Sequence, residues 1–171
     1  MLEIPEPDFD DPKEVYAFFG LAMYKANLLE ASLINLAVVL NLDKVKVITQ
    51  DIFKATFGEM EAKTLGQLLK ATRKLVSLPA ELEPVLDEAL TKRNFLAHHF
   101  FRVNAEEFIH ESGKRKMIKE LSLMIMQFQH ADELLTPVYL SLWIKYGVTE
   151  EFIEAELERN YALVEKKHNK F

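Results

Sequence analysis

The chain has 171 residues, 49% of them hydrophobic, with five Gly, six Pro and no Cys. This fits one globular domain, residues 1–171, that buries a core without covalent staples, and it excludes disordered and fibrous classes. The lack of Cys removes disulfides, cysteine nucleophiles and thiolate metal sites, and a net charge of −6 argues against a generic nucleic-acid binder.

The first eight residues, Met1 to Asp8, are acidic and broken by Pro5 and Pro7. They lack the basic start and apolar run of a signal peptide. The longest nearly apolar run, Ala31 to Leu42, contains Asn35 and Asn41 and falls far short of the ~20 residues that span a bilayer. The expectation is a soluble cytoplasmic protein with no membrane partner. Residues 1–11 read as an extended lead-in, because proline disfavours helix in the residue before it. Asp10 or Asp11 can cap the helix that follows, with Pro12 at its first position.

That helix is expected to run to about Asn41. Val15, Phe19, Ala22, Ala26, Leu29, Leu33, Leu36 and Leu40 follow alternating four- and three-residue steps, one apolar seam on a helix of roughly 30 residues. Ala17, Leu21, Leu28, Ile34 and Val38 add apolar surface outside the seam, so the helix is either central or covered by a second chain. Asn27 and Glu30 share a face at its edge. Glu30 either reaches solvent or meets a cation, because an unpaired buried carboxylate is costly.

Thr49 can cap a short helix over Asp51 to Phe57, ended by Gly58. Thr64-Leu65-Gly66-Gln67 reads as a capping box opening a helix that stops before Pro79. The next helix is expected from Glu81 to about Val103, with a stripe of Leu82, Leu86, Ala89, Leu90, Leu96, Ala97 and Phe100. Residues 104–113 read as a connector broken by Gly113. From Lys114 a second long helix runs to about Tyr146 on a seam of Met117, Leu121, Met124, Phe128, Ala131, Leu135 and Val138. Pro137 must kink or split it, and Gly147 closes it. Thr149 caps a last helix whose first turn carries Glu150 and Glu151. No strand alternation and no repeat appears. The predicted fold is all-α, a helical bundle with two long antiparallel helices and several shorter ones.

Several chemistries fail on spacing. A carboxylate-bridged di-iron bundle needs two Glu-x-x-His pairs, and the chain has one such spacing, Glu107 to His110, in the connector. His98 and His99 are adjacent, not four apart as a helical zinc pair requires. There is no glycine-rich phosphate loop and no serine elbow. No metal and no cofactor is expected.

What remains is Lys92 to Phe101. Arg93 lies seven residues from both Leu86 and Phe100, so it falls on the apolar stripe and calls for an anionic partner. Asn94 and His98 are four apart and stack on the neighbouring face. One reading is structural, with Arg93 paired to Glu30 and His98 a hydrogen-bonded core histidine. The other is a groove lined by both. Seven cations against three carboxylates between Thr91 and Lys119 give that segment a balance of +4, leaving −10 for the rest. Such an island either localises an anion or is a solvated loop.

Arg93-Asn94-Phe95-Leu96-Ala97-His98 resembles the signature of the HEPN domain family, an Arg, usually followed by a polar residue such as Asn, and a His after four to six residues. The setting is similar too, a small helical bundle whose long first helix carries an acidic residue, here Glu30. The resemblance implies metal-independent cleavage of RNA, or an RNA-binding remnant of it, in a homodimer whose two motifs share one cleft. It also implies a toxin–antitoxin or antiviral setting, with a cognate antitoxin as partner. On this reading His98 is the general acid/base and Arg93 the phosphate clamp. Asn94 orients His98 or bonds the phosphate, and Glu30 positions Arg93. His99 and Arg102 are lesser RNA contacts. The alternative is a non-catalytic, partner-binding or regulatory protein of the same fold.

Overall fold

The computed structural model describes residues 4–11 and 13–168. Among them are seven α-helices and no strand: α1 (Glu14–Leu42), α2 (Gln50–Glu61), α3 (Leu65–Arg73), α4 (Leu82–His98), α5 (Phe100–Val103), α6 (Glu111–Trp143) and α7 (Glu150–His168). Short 3-10 turns at Glu107–Ile109 and Ile144–Tyr146 flank α6. The all-α bundle expected from the periodicity is present.

The apolar seams carry the core. Val15, Ala22, Ala26, Leu29, Leu33 and Leu36 of α1 are buried, as are Leu82, Leu86, Ala89 and Leu96 of α4. Met117, Leu121, Met124, Phe128, Ala131 and Leu135 of α6 close over them. Burying each such leucine or phenylalanine contributes about 1.5–3 kcal/mol. Phe18 rather than Phe19 fills the first turn of the α1 seam. By length and hydropathy α1 could cross a bilayer, but here it is the central helix, with half of its most apolar 18 residues buried.

The direction of the long helices differs from expectation. Arg115 meets Asp10, Asp132 meets Ser32, Trp143 meets Asn35, and Tyr146 meets Asp43. Contacts rise together along both helices, so α1 and α6 run parallel, not antiparallel. α4 is the return leg. Arg93 meets Glu30, Phe100 meets Phe19, and Phe101 meets Tyr16, in falling order. One antiparallel leg between the two long helices brings the second back in the direction of the first.

The helix ends follow their capping chemistry. α1 is an exception: its N-cap is Lys13, with no side-chain cap bond, and Asp11 Oδ1 accepts from the Lys13 amide at 2.8 Å in the turn before it, so neither Asp10 nor Asp11 is the cap expected from the sequence. The first-position role expected for Pro12 lies outside the described residues. Thr49 and Thr149 each accept from the amide three residues on, at 3.3 Å. Thr64 and Gln67 complete a reciprocal capping box. Thr64→Ala is therefore expected to cost about 1 kcal/mol in chemical denaturation.

Two glycine readings change and one proline reading narrows. α2 runs through Gly58, which is exposed with open space around its Cα. α6 begins before Gly113, so Gly113 is not a breaker but a point of close approach to the 107–109 turn. α6 also continues through Pro137 without splitting, and Thr136 Oγ1 donates to the Asp132 carbonyl one turn back. Gly147, at φ 78°, closes the 144–146 turn in the left-handed region where a side chain is strained.

Candidate functional site

α4 presents the motif on two different sides. Leu86, Arg93 and Phe100 lie toward α1, whereas Asp87, Thr91, Asn94 and His98 form the solvent line. Glu30 reaches Arg93 from α1. The Arg93 Nη2 to Glu30 Oε2 distance is 3.9 Å, beyond a hydrogen bond, and the two side chains keep 22% and 21% of their exposure. Arg93 Nε is buried and has no acceptor among the described residues. The guanidinium is thus near its carboxylate but incompletely satisfied, which is unusual for a buried donor.

Asn94 and His98 are exposed, and neither side chain bonds another described residue. The expectation of a hydrogen-bonded core histidine therefore fails for His98. Its ring stands 6.2 Å from that of His99, at 67°.

The helix expected to reach Val103 breaks at His99 instead. His99 takes φ −130° and ψ −23°, ending α4 and starting the single turn of α5. The break turns His99 away from His98 and toward Arg102, whose Nη2 lies 2.8 Å from His99 Nδ1. Since a guanidinium only donates, Nδ1 accepts and the ring proton sits on Nε2. Only Arg93 and Glu30 are brought together; His98, five residues from Arg93 and so about 140° round an ideal helix, and Asn94 stand on the exposed side, and His99 with Arg102 forms a separate exposed pair just beyond.

The wall behind the motif is aromatic. Phe100 is buried against Phe95 and Phe19. Phe101 packs on Phe19 at 4.8 Å, Tyr16 at 5.9 Å and Phe108 at 6.1 Å. Sequence periodicity placed Phe19 in the seam but missed this cluster. The signal available was the run of Phe100, Phe101 and Phe108 opposite Tyr16 and Phe19.

The basic island is less free than its composition implies. Arg115 binds Asp10 at 2.6 Å, Lys116 binds Glu107 at 2.6 Å, and Lys114 lies 5.6 Å over the Phe108 ring. Glu107 raises the Lys116 pKa by hydrogen bond and charge. These contacts fasten the start of α6 to the lead-in and to the 107–109 turn. Glu107 and His110 have separate duties, since His110 Nδ1 accepts from the Ser112 amide as the N-cap of α6. Among the described residues no group of three or more His, Asp or Glu is arranged to hold a metal ion.

One face next to the motif is exposed among the described residues. Tyr16, Gly20, Tyr24, Asn27 and Ala31 make an exposed, uncharged stripe along α1. Gly20 has nothing within 4 Å of the position a Cβ would take, so nothing in the chain requires glycine there. A glycine inside a helix costs roughly 1 kcal/mol relative to alanine. Comparison with protein-family models, characterised proteins and solved structures finds no match to this chain.

Proposed function

We propose that this chain is a HEPN-like, metal-independent endoribonuclease of a toxin–antitoxin or phage-defence type, acting on cytoplasmic RNA as a homodimer. The observation that carries the reading is Arg93. A guanidinium held on the apolar stripe of α4, with a loose carboxylate partner and a buried Nε that has no acceptor among the described residues, shares its helix with an exposed histidine and asparagine. That supports a site arranged for an anion rather than a closed structural ion pair.

The chemistry follows from the residue types. A base takes the proton of a ribose 2′-hydroxyl, and the 2′-oxygen attacks the adjacent phosphorus. The 2′-O–P bond forms as the P–O5′ bond breaks, and the leaving O5′ takes a proton. The products are a 2′,3′-cyclic phosphate and a 5′-hydroxyl. One His98 serves as base and the other, from the second copy, as acid. Arg93 donates to the phosphate oxygens as charge builds on them. Asn94, one turn from His98, bonds the phosphate or orients the imidazole. Glu30 limits where the guanidinium can swing. His99 and Arg102 contact the flanking strand. A cognate antitoxin would act by covering this region.

Dimerisation through the α1 stripe is supported by its lack of charge and by Gly20, whose missing side chain permits close helix approach. Ala31→Arg is expected to convert the dimer to a monomer in sedimentation and to abolish cleavage, because the site needs both copies. A wild-type monomer at micromolar concentration would remove the two-histidine mechanism. The central experiment is cleavage of a labelled RNA by wild type, His98→Ala and Arg93→Ala. Loss in both variants is expected, and equal turnover in all three overturns the reading.

A further inference from the structure

A second surface lies on another side of α1. Asn35, five residues from Glu30, is turned about 140° from it on an ideal helix. There the end of α6 and the start of α7 enclose a cavity of about 470 Å³ lined by Phe53, Tyr139, Trp143, Phe152 and Ile153. A neighbouring cavity of about 320 Å³ shares Leu140, Val148 and Ile153 with it, so the two form one groove. The aromatic side chains brace one another. Trp143 stands 6.4 Å from Phe53 and 6.0 Å from Tyr146, and its indole N–H donates to the Asn35 carbonyl at 3.3 Å.

The groove opens onto α7. Ile153, Leu157, Tyr161 and Val164 recur at four, four and three residues, which is one face of a helix. Ile153 lines the groove, while Leu157, Tyr161 and Val164 are 64%, 73% and 54% exposed. No residue of α7 is buried. Phe152, half exposed, adds to the same apolar surface. Exposed apolar surface of this continuity marks an interaction site.

Charge selects the occupant. From Glu150 to Glu158, α7 carries Glu150, Glu151, Glu154, Glu156 and Glu158 and no Lys or Arg; Arg159, next along the seam, pairs with Glu156 at 3.0 Å, which leaves four carboxylates for a partner. Glu150 also lines the second cavity. On the opposite rim Lys145 is already paired with Asp43. We infer that this groove and the α7 seam dock an amphipathic helix of a partner protein that carries apolar anchors flanked by Lys or Arg. The seam from Ile153 to Val164 extends about 17 Å at 1.5 Å per residue, which a partner helix of three to four turns would cover. This inference stands apart from the ribonuclease reading, since none of its residues belongs to the motif.

Trp143 is the only tryptophan in the chain and lines the groove, so its fluorescence reports occupancy directly. The probe is a synthetic amphipathic helix of leucine and lysine about 16 residues long, titrated against the full chain. A leucine–glutamate peptide of the same pattern is the comparison. The expected result is a saturable blue shift of Trp143 emission with the lysine peptide, at least tenfold tighter than with the glutamate peptide. Phe152→Ser, a change at an exposed position, is expected to weaken it at least tenfold while leaving every acidic residue in place. Glu151→Lys with Glu154→Lys should reverse the preference between peptides. Absence of a saturable shift, equal affinity for both peptides, or unchanged binding by Phe152→Ser would overturn the inference. So would self-association of the wild type that Phe152→Ser alone abolishes, since the occupant would then be a second copy.

Discussion

Gly113→Ala is expected to destabilise the protein by about 3 kcal/mol, the upper end of the usual cost of overpacking. A Cβ at Gly113 would run into the Glu107 carbonyl oxygen and stand 2.6 Å from its carbon and 2.7 Å from the Glu107 Cα. All three are backbone atoms, so no side chain can rotate aside. Nor can the 107–109 turn easily retreat. The Phe108 amide bonds the Asn104 carbonyl at 2.9 Å, and buried Asn104 in turn bonds the Phe100 carbonyl through its side chain. Lys116 holds the Glu107 carboxylate from α6. Relief would require displacing the link between α5 and α6, which also sets the aromatic wall behind the motif. In a chain of this size the melting temperature would fall by about 6–12 °C. Gly20→Ala supplies the contrast. Nothing crowds its Cβ, so the monomer should gain up to about 1 kcal/mol of helix propensity. Chemical denaturation of both variants checks the pair, and a Gly113→Ala protein as stable as wild type would mean the close approach is not retained in solution.

The same glycine shows which information a linear reading carries. Apolar recurrence identified α1, α4 and α6 and the residues that form their buried seams, because burial of one helix face imposes a period that survives in the sequence; it left out Phe18, Ala37, Val38, Val39 and Leu42 of α1 and Ile118 and Ile125 of α6, which are buried beside those seams. Thr49, Thr64 and Thr149 were legible as caps for a similar reason, since each satisfies an amide two or three residues away. Gly113 gave only a local signal, and helix breaking is the usual local meaning of glycine. Its actual role depends on a backbone carbonyl brought in by a turn, which no propensity encodes. The break at His99 was equally hidden, for no Gly or Pro marks it. The parallel course of α1 and α6 goes with α4 running back antiparallel to α1, a matter of topology rather than periodicity. Lys116 lost its apparent freedom to Glu107, and Arg115 lost its to Asp10, across 105 positions in the chain. At the motif the sequence located Arg93 on the apolar stripe and linked it with Glu30. It did not foretell that the contact would be loose or that His98 would stand without a partner.

Those two features separate activity from stability in a way that distinguishes an enzyme from a helical binding module. His98→Ala removes an exposed side chain with no described hydrogen bond, so stability should change by no more than about 0.5 kcal/mol. Cleavage should fall about 10²–10⁴-fold, the usual contribution of a positioned acid or base. Arg93→Ala breaks a pair separated by 3.9 Å and also removes a buried nitrogen that lacks an acceptor. Its stability cost should therefore stay below the ~3–5 kcal/mol of breaking a tight buried pair, while loss of the phosphate clamp lowers cleavage about 10²–10³-fold. Arg93→Lys should not restore cleavage, because an ammonium lacks the planar fork that holds two phosphate oxygens at once. Glu30→Gln tests the positioning role. It keeps the shape of the side chain, so the fold should survive, and it should reduce turnover less than Arg93→Ala because phosphate can still reach the guanidinium. Thermal melts and single-turnover cleavage on the same preparations decide the matter. If Arg93→Ala and Glu30→Gln unfold the protein to the same extent and the double variant adds nothing, the ion pair is the reason for the arginine and the chain is a scaffold. If melting is unchanged and cleavage is lost in the order Arg93→Ala over Glu30→Gln, the unsatisfied guanidinium is the phosphate clamp.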